Sequence, residues 1–271
     1  MSRDEVAWTR WVRFVDRGVA PDEPGLYRFR RPQQAAPDYI GETGNGRVTL
    51  AKRLDALRSI NAPLMPYRYP YAAAPALWSL HDAEGDLEVS WATVPGHHDR
   101  RHAAWAAELA LHRHQYGSSP CANFGRMPAG YRSSSSYSCE LIHSGGLFRG
   151  GRSTRRDAQH QPGRAPVGSV HDAALLSDRW CGVEWSEWTP ELPPERASGA
   201  VRVRRIAGCN TLLSIAQGGL RQAVRKAAKV AEGRVESSWL IIDDWPKHQR
   251  EELFVDLLGA HVLATGQLPG P

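Results

Sequence analysis

YIGETGN, residues 39 to 45, closes a short strand pattern on a tyrosine, turns at once on glycine and leads into the basic stretch GRVTLAKRL, residues 46 to 54. A plain β-turn accounts for the glycines. It does not account for the arginines, or for Tyr27, twelve residues upstream in GLYRFRR (25–31). GLYRFRR alternates as a strand and DYIGE (38–42) reads as a second; PQQAAP between them is short enough for a hairpin. Downstream, VTLAKRLDAL (48–57) carries apolar residues at 48, 50, 54 and 57, which is helical spacing. DLEVSWATV (86–94) reads as a third strand. HDRRHAAWAAELALHRHQYG (98–117) reads as an Ala-rich helix that stops at Gly117, and SSPCANF leaves it through Pro120. The predicted order is β-β-α-β-α.

The bulk properties set the class. Of 271 residues, 41% are hydrophobic and 23% charged, which is a globular composition with enough length for one or two cores. No apolar run approaches the roughly 18 residues that a membrane helix needs. MSRDEVAW carries no signal-peptide hydrophobic region. Cys121, Cys139, Cys181 and Cys209 are scattered without a CxxC pair, so the expectation is a cytoplasmic protein with free thiols and no zinc site. Net charge is +5, and lysine occurs only at 52, 226, 229 and 247, so nearly all positive charge is arginine. Arginine pairs with phosphate at two points, which suits a nucleic-acid partner. A GC-rich genome produces the same bias, and composition alone leaves both explanations open.

Residues 129 to 177 change character. They are rich in Gly, Ser, Pro and Arg and read as a linker or extended arm. Arg149, Arg152, Arg155 and Arg156 either lie along a phosphate backbone or decorate a solvated connection. The pattern then recurs. Trp8 and Trp11 precede the first hairpin; Trp185 and Trp188 precede GAVRVRRI (199–206). Gly25 corresponds to Gly199, Tyr39-Ile40-Gly41 to Leu212-Leu213-Ser214, RVTLAKRL to LRQAVRKA, and LEVSWATV to VESSWLII with Trp91 on Trp239. His112, Gly117 and Pro120 fall on His261, Gly266 and Pro269. The offset is near 174 before the third strand and 148 to 149 after it, so the first copy carries about 26 extra residues between its first helix and third strand. The expected fold class is α+β: two β-β-α-β-α units, each a small, mostly antiparallel sheet flanked by helices. The expected organisation is 1–128, with a Trp-rich lead-in; 129–177, the linker; and 178–271, the second copy.

GLY at 25–27, YIG at 39–41, Arg53, Glu108 and Asn123, in that order on this pattern, resemble the GIY-YIG nuclease domain across roughly residues 20 to 126. The resemblance implies a phosphodiester hydrolase that uses one divalent metal, Mg²⁺ or Mn²⁺, on DNA. It assigns Tyr39 to water activation, Tyr27 to positioning Tyr39, Arg53 to the scissile phosphate, Glu108 to the metal and Asn123 to ordering the site from its loop. A phenol with an ordinary pKa near 10 needs a cation nearby to act as a base. Arg47, Lys52 and Arg68, with the linker arginines, are the further candidate nucleic-acid contacts. The stretch from Tyr39 to Arg53 is longer than the family commonly has, which brings in Arg47 as a second phosphate contact. Leu57 stands where many members carry histidine, which shifts the burden to the tyrosines.

Val201, Leu212 and Leu257 replace Tyr27, Tyr39 and Glu108 in the second copy, so it is expected to be inactive. It binds DNA, serves as half of a pseudo-dimer, or covers hydrophobic surface. The insert NAPLMPYRYPYAAAPALW (61–78) either stacks bases or packs as a lid. One active site per chain predicts a nicking monomer, or a homodimer for double-strand cleavage. The rival expectations are a non-catalytic DNA-binding protein on a nuclease fold, and a nuclease acting on RNA or on modified or damaged DNA.

Overall fold

A computed structural model describes residues 6–44, 46–63, 65–66, 73–128, 131, 179–180, 183–195, 199–205, 212–217, 219–231 and 234–269. The alternating stretches become strands. β1 (Val12–Arg13), β2 (Gly25–Arg30), β3 (Tyr39–Glu42) and β4 (Glu88–Thr93) form an antiparallel sheet in the order β1-β4-β2-β3. Tyr27 sits opposite Gly41 on one side and Trp91 on the other. Leu50 and Leu54 bury one stripe of α1 (Leu50–Ala56), and the Thr49 hydroxyl caps its start by accepting from the Lys52 amide at 3.4 Å. α3 (His98–Tyr116) stops at Gly117, whose φ of +74° suits glycine and whose N–H closes on the Arg113 carbonyl at 2.8 Å.

The sheet buries one face under helices. Tyr27, Phe29 and Val89 pack with Leu50, Leu54, the 3-10 turn Leu57–Asn61, and α2 (Ala74–Glu84). α2 was not predicted. It comes from the insert, and the described part of that insert packs as core: Met65 and Trp78 are buried, and the Trp78 indole donates to the Ala62 carbonyl at 2.8 Å. Arg68 lies outside the described residues.

The same order returns in β7 (Gly199–Arg205), β8 (Leu212–Gln217), α4 (Leu220–Ala231), β9 (Val235–Ile241) and α5 (Lys247–Thr265), after a short β5 (Arg179–Trp180) and β6 (Val183–Glu184) ladder. Its sheet runs β8-β7-β9, as the first runs β3-β2-β4. Val201 opposes Trp239 as Tyr27 opposes Trp91. All the described strand pairs are antiparallel, and the architecture is mixed α+β. No helix among the described residues is long and apolar enough to cross a membrane.

The likeness extends to individual contacts. The Arg28 guanidinium lies 4.2 Å from the Trp8 ring centroid and 4.7 Å from that of Trp11; Arg202 lies 4.4 Å and 4.7 Å from Trp185 and Trp188. Arg30 pairs with Glu88 at 2.6 Å, and Arg204 with Glu236 at 2.7 Å. Ser90 donates to the Thr9 carbonyl and Ser238 to the Ser186 carbonyl, at 2.8 and 2.7 Å. A Cβ on Gly25 would stand 2.1 Å from the Ala92 oxygen, and one on Gly199 1.8 Å from that of Leu240, so neither strand admits a side chain there.

The register corrects the alignment of the second strand. Tyr39 opposes Phe29, and its counterpart opposing Val203 is Ser214, two residues from the expected Leu212. At the irregularity between Val203 and Arg204 the partner passes from Ser214 to Leu212, one extra residue in the second strand. Matching the buried pair Leu50 and Leu54 to Leu220 and Val224 likewise puts Ala223 where Arg53 stands.

The chain divides into two compact units. One takes the described residues to Trp105 and those from Ser119 to Tyr131; the other takes Ala106–Ser118 and the described residues from Arg179 onward. α3 therefore contributes its first half to one and its second half to the other. Within the second unit, a Cβ on Gly259 of α5 would stand 2.3 Å from the Ala106 oxygen and 2.6 Å from the Ala110 Cβ, so small residues set a close helix–helix approach. There the buried Arg113 guanidinium meets Glu252 at 2.9 Å and Asp256 at 2.8 Å, both carboxylates also buried. Removing the cation leaves two carboxylates without it in low dielectric. Arg113→Met is expected to cost about 3–5 kcal/mol in a denaturant melt; a loss below about 1 kcal/mol, within the range of an exposed pair, would show that the pair does not hold α3 to α5.

Candidate active site and metal cluster

The strand period of two gives β3 two different faces. Tyr39 and Gly41 face the core beneath α1 and α2; Ile40 and Glu42 face α3. On the first face, the Tyr27 and Tyr39 ring centroids are 5.9 Å apart. A Cβ on Gly41 would stand 2.6 Å from the Tyr27 ring and 2.6 Å from the Tyr39 ring. The glycine of YIG is thus required by side-chain space, since both rings occupy the volume of the missing methyl group.

Burial pushes the Tyr39 phenol above its ordinary value. A hydrogen bond from Tyr27 and the positive charge of Arg53 pull in the opposite direction, and Glu42 adds to the rise. Tyr27 is buried and Tyr39 half-buried. Arg53, on the last turn of α1, donates from Nη2 to the Thr43 carbonyl at 2.9 Å. Thr43 in turn exchanges hydrogen bonds with Gly25, so the hairpin end and the guanidinium form one tied unit. Asp55 pairs with Arg17 and Arg58. Arg47 and Lys52 are exposed. Arg149, Arg152, Arg155 and Arg156 lie outside the described residues.

Asn123 is buried in the loop after α3 and clamps the backbone of β3. Its Oδ1 accepts from the Ile40 N–H at 2.9 Å, and its Nδ2 donates to the Ile40 carbonyl at 2.8 Å. The Trp105 indole donates to the same carbonyl at 3.1 Å. β3 is an edge strand, and these side chains stand where another strand would pair. Just upstream, the Asp38 carbonyl accepts from the Ala122 N–H at 2.8 Å, and its carboxylate accepts from Cys121 Sγ at 3.3 Å. Desolvation of its sulfur and the Asp38 carboxylate raise the Cys121 thiol, although the residue as a whole is exposed.

Glu108 is half-buried on α3, one turn beyond Trp105, in the part of the helix grouped with the second unit. Among the described residues, the donor group suited to a metal lies elsewhere: Glu42, His98 and His102, whose ligand atoms lie within 4.8 Å of one another. Glu42 Oε1 is 2.9 Å from His102 Nδ1, and Glu42 Oε2 is 3.8 Å from His98 Nε2. The two imidazoles stack at 5.7 Å between centroids, and Trp105 stacks on His102 at 5.2 Å. This cluster was not anticipated. Its sequence signal was the His pair in HHDRRH at i and i+4, which shares a helix face; the third donor follows YIG, 56 residues before His98. His112, the counterpart of His261, is buried, and its Nδ1 contacts the Ser118 carbonyl at 2.8 Å.

Compared with protein-family models, with curated proteins and with solved structures, the chain matches none.

Asn123→Ala removes both contacts to Ile40 and leaves its N–H and carbonyl to compete for water. The expected cost is about 2 kcal/mol, with faster hydrogen exchange at Ile40 and unchanged exchange in β9. Uniform exchange across both sheets would show that the clamp does not act locally.

Proposed function

We propose that this chain is a metal-dependent endonuclease of the GIY-YIG kind, hydrolysing phosphodiester bonds in DNA at one site formed around Tyr27, Tyr39 and Arg53. The observation that carries the reading is the hydrogen-bonded phenol pair packed around Gly41, with a fixed guanidinium beside it. The second half of the chain supports it as an internal comparison. Positions that build the fold are shared: Gly25 and Gly199, Arg28 and Arg202, Glu88 and Glu236, Ser90 and Ser238, Trp91 and Trp239. Positions assigned to chemistry are not. Val201, Ser214, Ala223 and Leu257 replace Tyr27, Tyr39, Arg53 and Glu108. A residue needed only for packing has no reason to follow that division.

Phosphodiester hydrolysis needs a positioned water and cationic charge on the phosphorane-like transition state. Tyr39 orients the attacking water and takes its proton. Tyr27 donates to the Tyr39 oxygen and favours the ionised form as that proton leaves. Arg53 binds a phosphate oxygen with a guanidinium already anchored on Thr43. Glu108 is the carboxylate for the divalent ion; a single carboxylate with water ligands suits Mg²⁺, and the ion, when bound, supplies charge stabilisation to the leaving oxygen. Asn123 acts through the β3 backbone and is a positioning residue.

With supercoiled plasmid and Mg²⁺ or Mn²⁺, nicked circles are expected before linear product, as one site cuts one strand. Tyr39→Phe is expected to lower the cleavage rate by roughly 10²-fold or more with DNA affinity kept. Because the Tyr39 phenol lies above its ordinary value, the wild-type rate rises with pH across the neutral range, and the variant loses that slope. Glu108→Ala is expected to lose cleavage while retaining binding. Wild-type binding with no cleavage of duplex or single strands in either metal would overturn the reading in favour of a DNA-binding protein.

A further inference from the structure

We propose that Glu42, His98 and His102 form a second metal site, one that takes a divalent transition ion of the zinc class in preference to Mg²⁺. The proposal concerns binding alone and does not depend on the nuclease reading.

The donor set selects the ion. Two neutral imidazoles and one carboxylate suit Zn²⁺, Co²⁺ or Mn²⁺, whereas Mg²⁺ prefers an all-oxygen shell. The geometry is close to what such an ion requires. Ligand atoms at about 2.1 Å from a tetrahedral ion stand roughly 3.4 Å from one another. The Glu42 oxygens lie 2.9 and 3.8 Å from the two imidazole nitrogens, which brackets that value. All three donor atoms lie within 4.8 Å of one another, so binding closes them by up to about 1.4 Å.

A plain ion pair explains less of the arrangement. One protonated His102 satisfies Glu42 Oε1 and leaves His98 unexplained. The second oxygen, Oε2, is buried and makes no hydrogen bond among the described residues; His98 Nε2 at 3.8 Å is too distant for one. Charging both imidazoles would stack two cations at 5.7 Å. A shared ion uses both rings in their neutral form and occupies the free lone pair. One outer contact suits the same role. Trp105 fixes the plane of His102 by stacking.

The internal comparison separates this cluster from the scaffold. α3 and α5 have the same length and end on equivalent glycines, Gly117 and Gly266, which places Lys247 and Glu251 at the positions of His98 and His102. The strand register places Gln217 at that of Glu42. The three donors are therefore peculiar to the first half of the chain, as the phenols are. Bound there, the ion would join the end of β3 to the first two turns of α3.

The test is Co²⁺ titration of the full-length, chelator-stripped protein, followed by visible d–d absorption and equilibrium dialysis, with Zn²⁺ and Mg²⁺ as competitors. One equivalent of Co²⁺ is expected, displaced by Zn²⁺ and not by Mg²⁺ in large excess. His98→Asn/His102→Asn is expected to weaken binding at least roughly 100-fold and to remove the absorption. Glu42→Gln keeps the side-chain shape and gives the same loss if the double variant does not fold, with far-UV circular dichroism as the check. Absence of Co²⁺ uptake by the native chain, or uptake with an unchanged spectrum in folded variants, would overturn the proposal.

Discussion

A guanidinium held between two indoles organises each half of this chain. Arg28 and Arg202 project from the central strand of their sheets, on the face opposite Tyr27 and Val201, into tryptophan pairs supplied by the preceding segment. Alternation along a strand then gives the two faces separate duties. One side of β2 is committed to anchoring, through Arg28, Arg30 and the Ser90 bond to Thr9. The other is free to carry the tyrosine beside β3. With the central strand fixed in the same way in both halves, the second keeps the same sheet with Val201 in the place of Tyr27.

Around β3 the constraints are steric and polar together. Gly41 leaves the space into which both phenol rings fit, and Asn123 with Trp105 holds the Ile40 backbone from the far side. A strand of four residues at a sheet edge would otherwise be easily displaced. Its position decides three things at once: the separation of the phenols, the tie from Arg53 through Thr43, and the reach of Glu42 toward α3. This is why a residue as remote in sequence as Asn123 bears on the geometry of both the phenol pair and the Glu42 cluster.

Much of the fold was legible because its signals are local. Alternation marked β2, β3 and β4, apolar spacing marked α1, and Gly117 and Gly266 ended their helices with left-handed φ. α2 escaped notice because its residues from Ala74 to Leu80 are buried nearly all round, so it carries no polar stripe to reveal its period. The repeat was legible from its tryptophans, but its second strand was misaligned by two residues, since the pairing register is settled across the sheet and not by the local pattern. The phenol pair was legible because a hairpin brings its two members together. The Glu42 cluster was not, since a strand end and a helix start meet there only through the tertiary fold. The expectation of no zinc site had looked at cysteines alone, while the donors present are histidine and glutamate.

α3 connects these observations. Its first half carries His98, His102 and Trp105 against β3; its second half, with Glu108, is packed in the other unit through Gly259 and the buried Arg113. Burying one cation with two carboxylates is not an economical way to gain stability, because the desolvation of three charges offsets most of the attraction. It is an effective way to fix register: a helix slid by one residue rotates Arg113 by about 100° away from its partners. A half-chain without phenols therefore retains a physical use. By fixing the rotation of that second half of α3 about its own axis, it fixes the direction in which Glu108 projects.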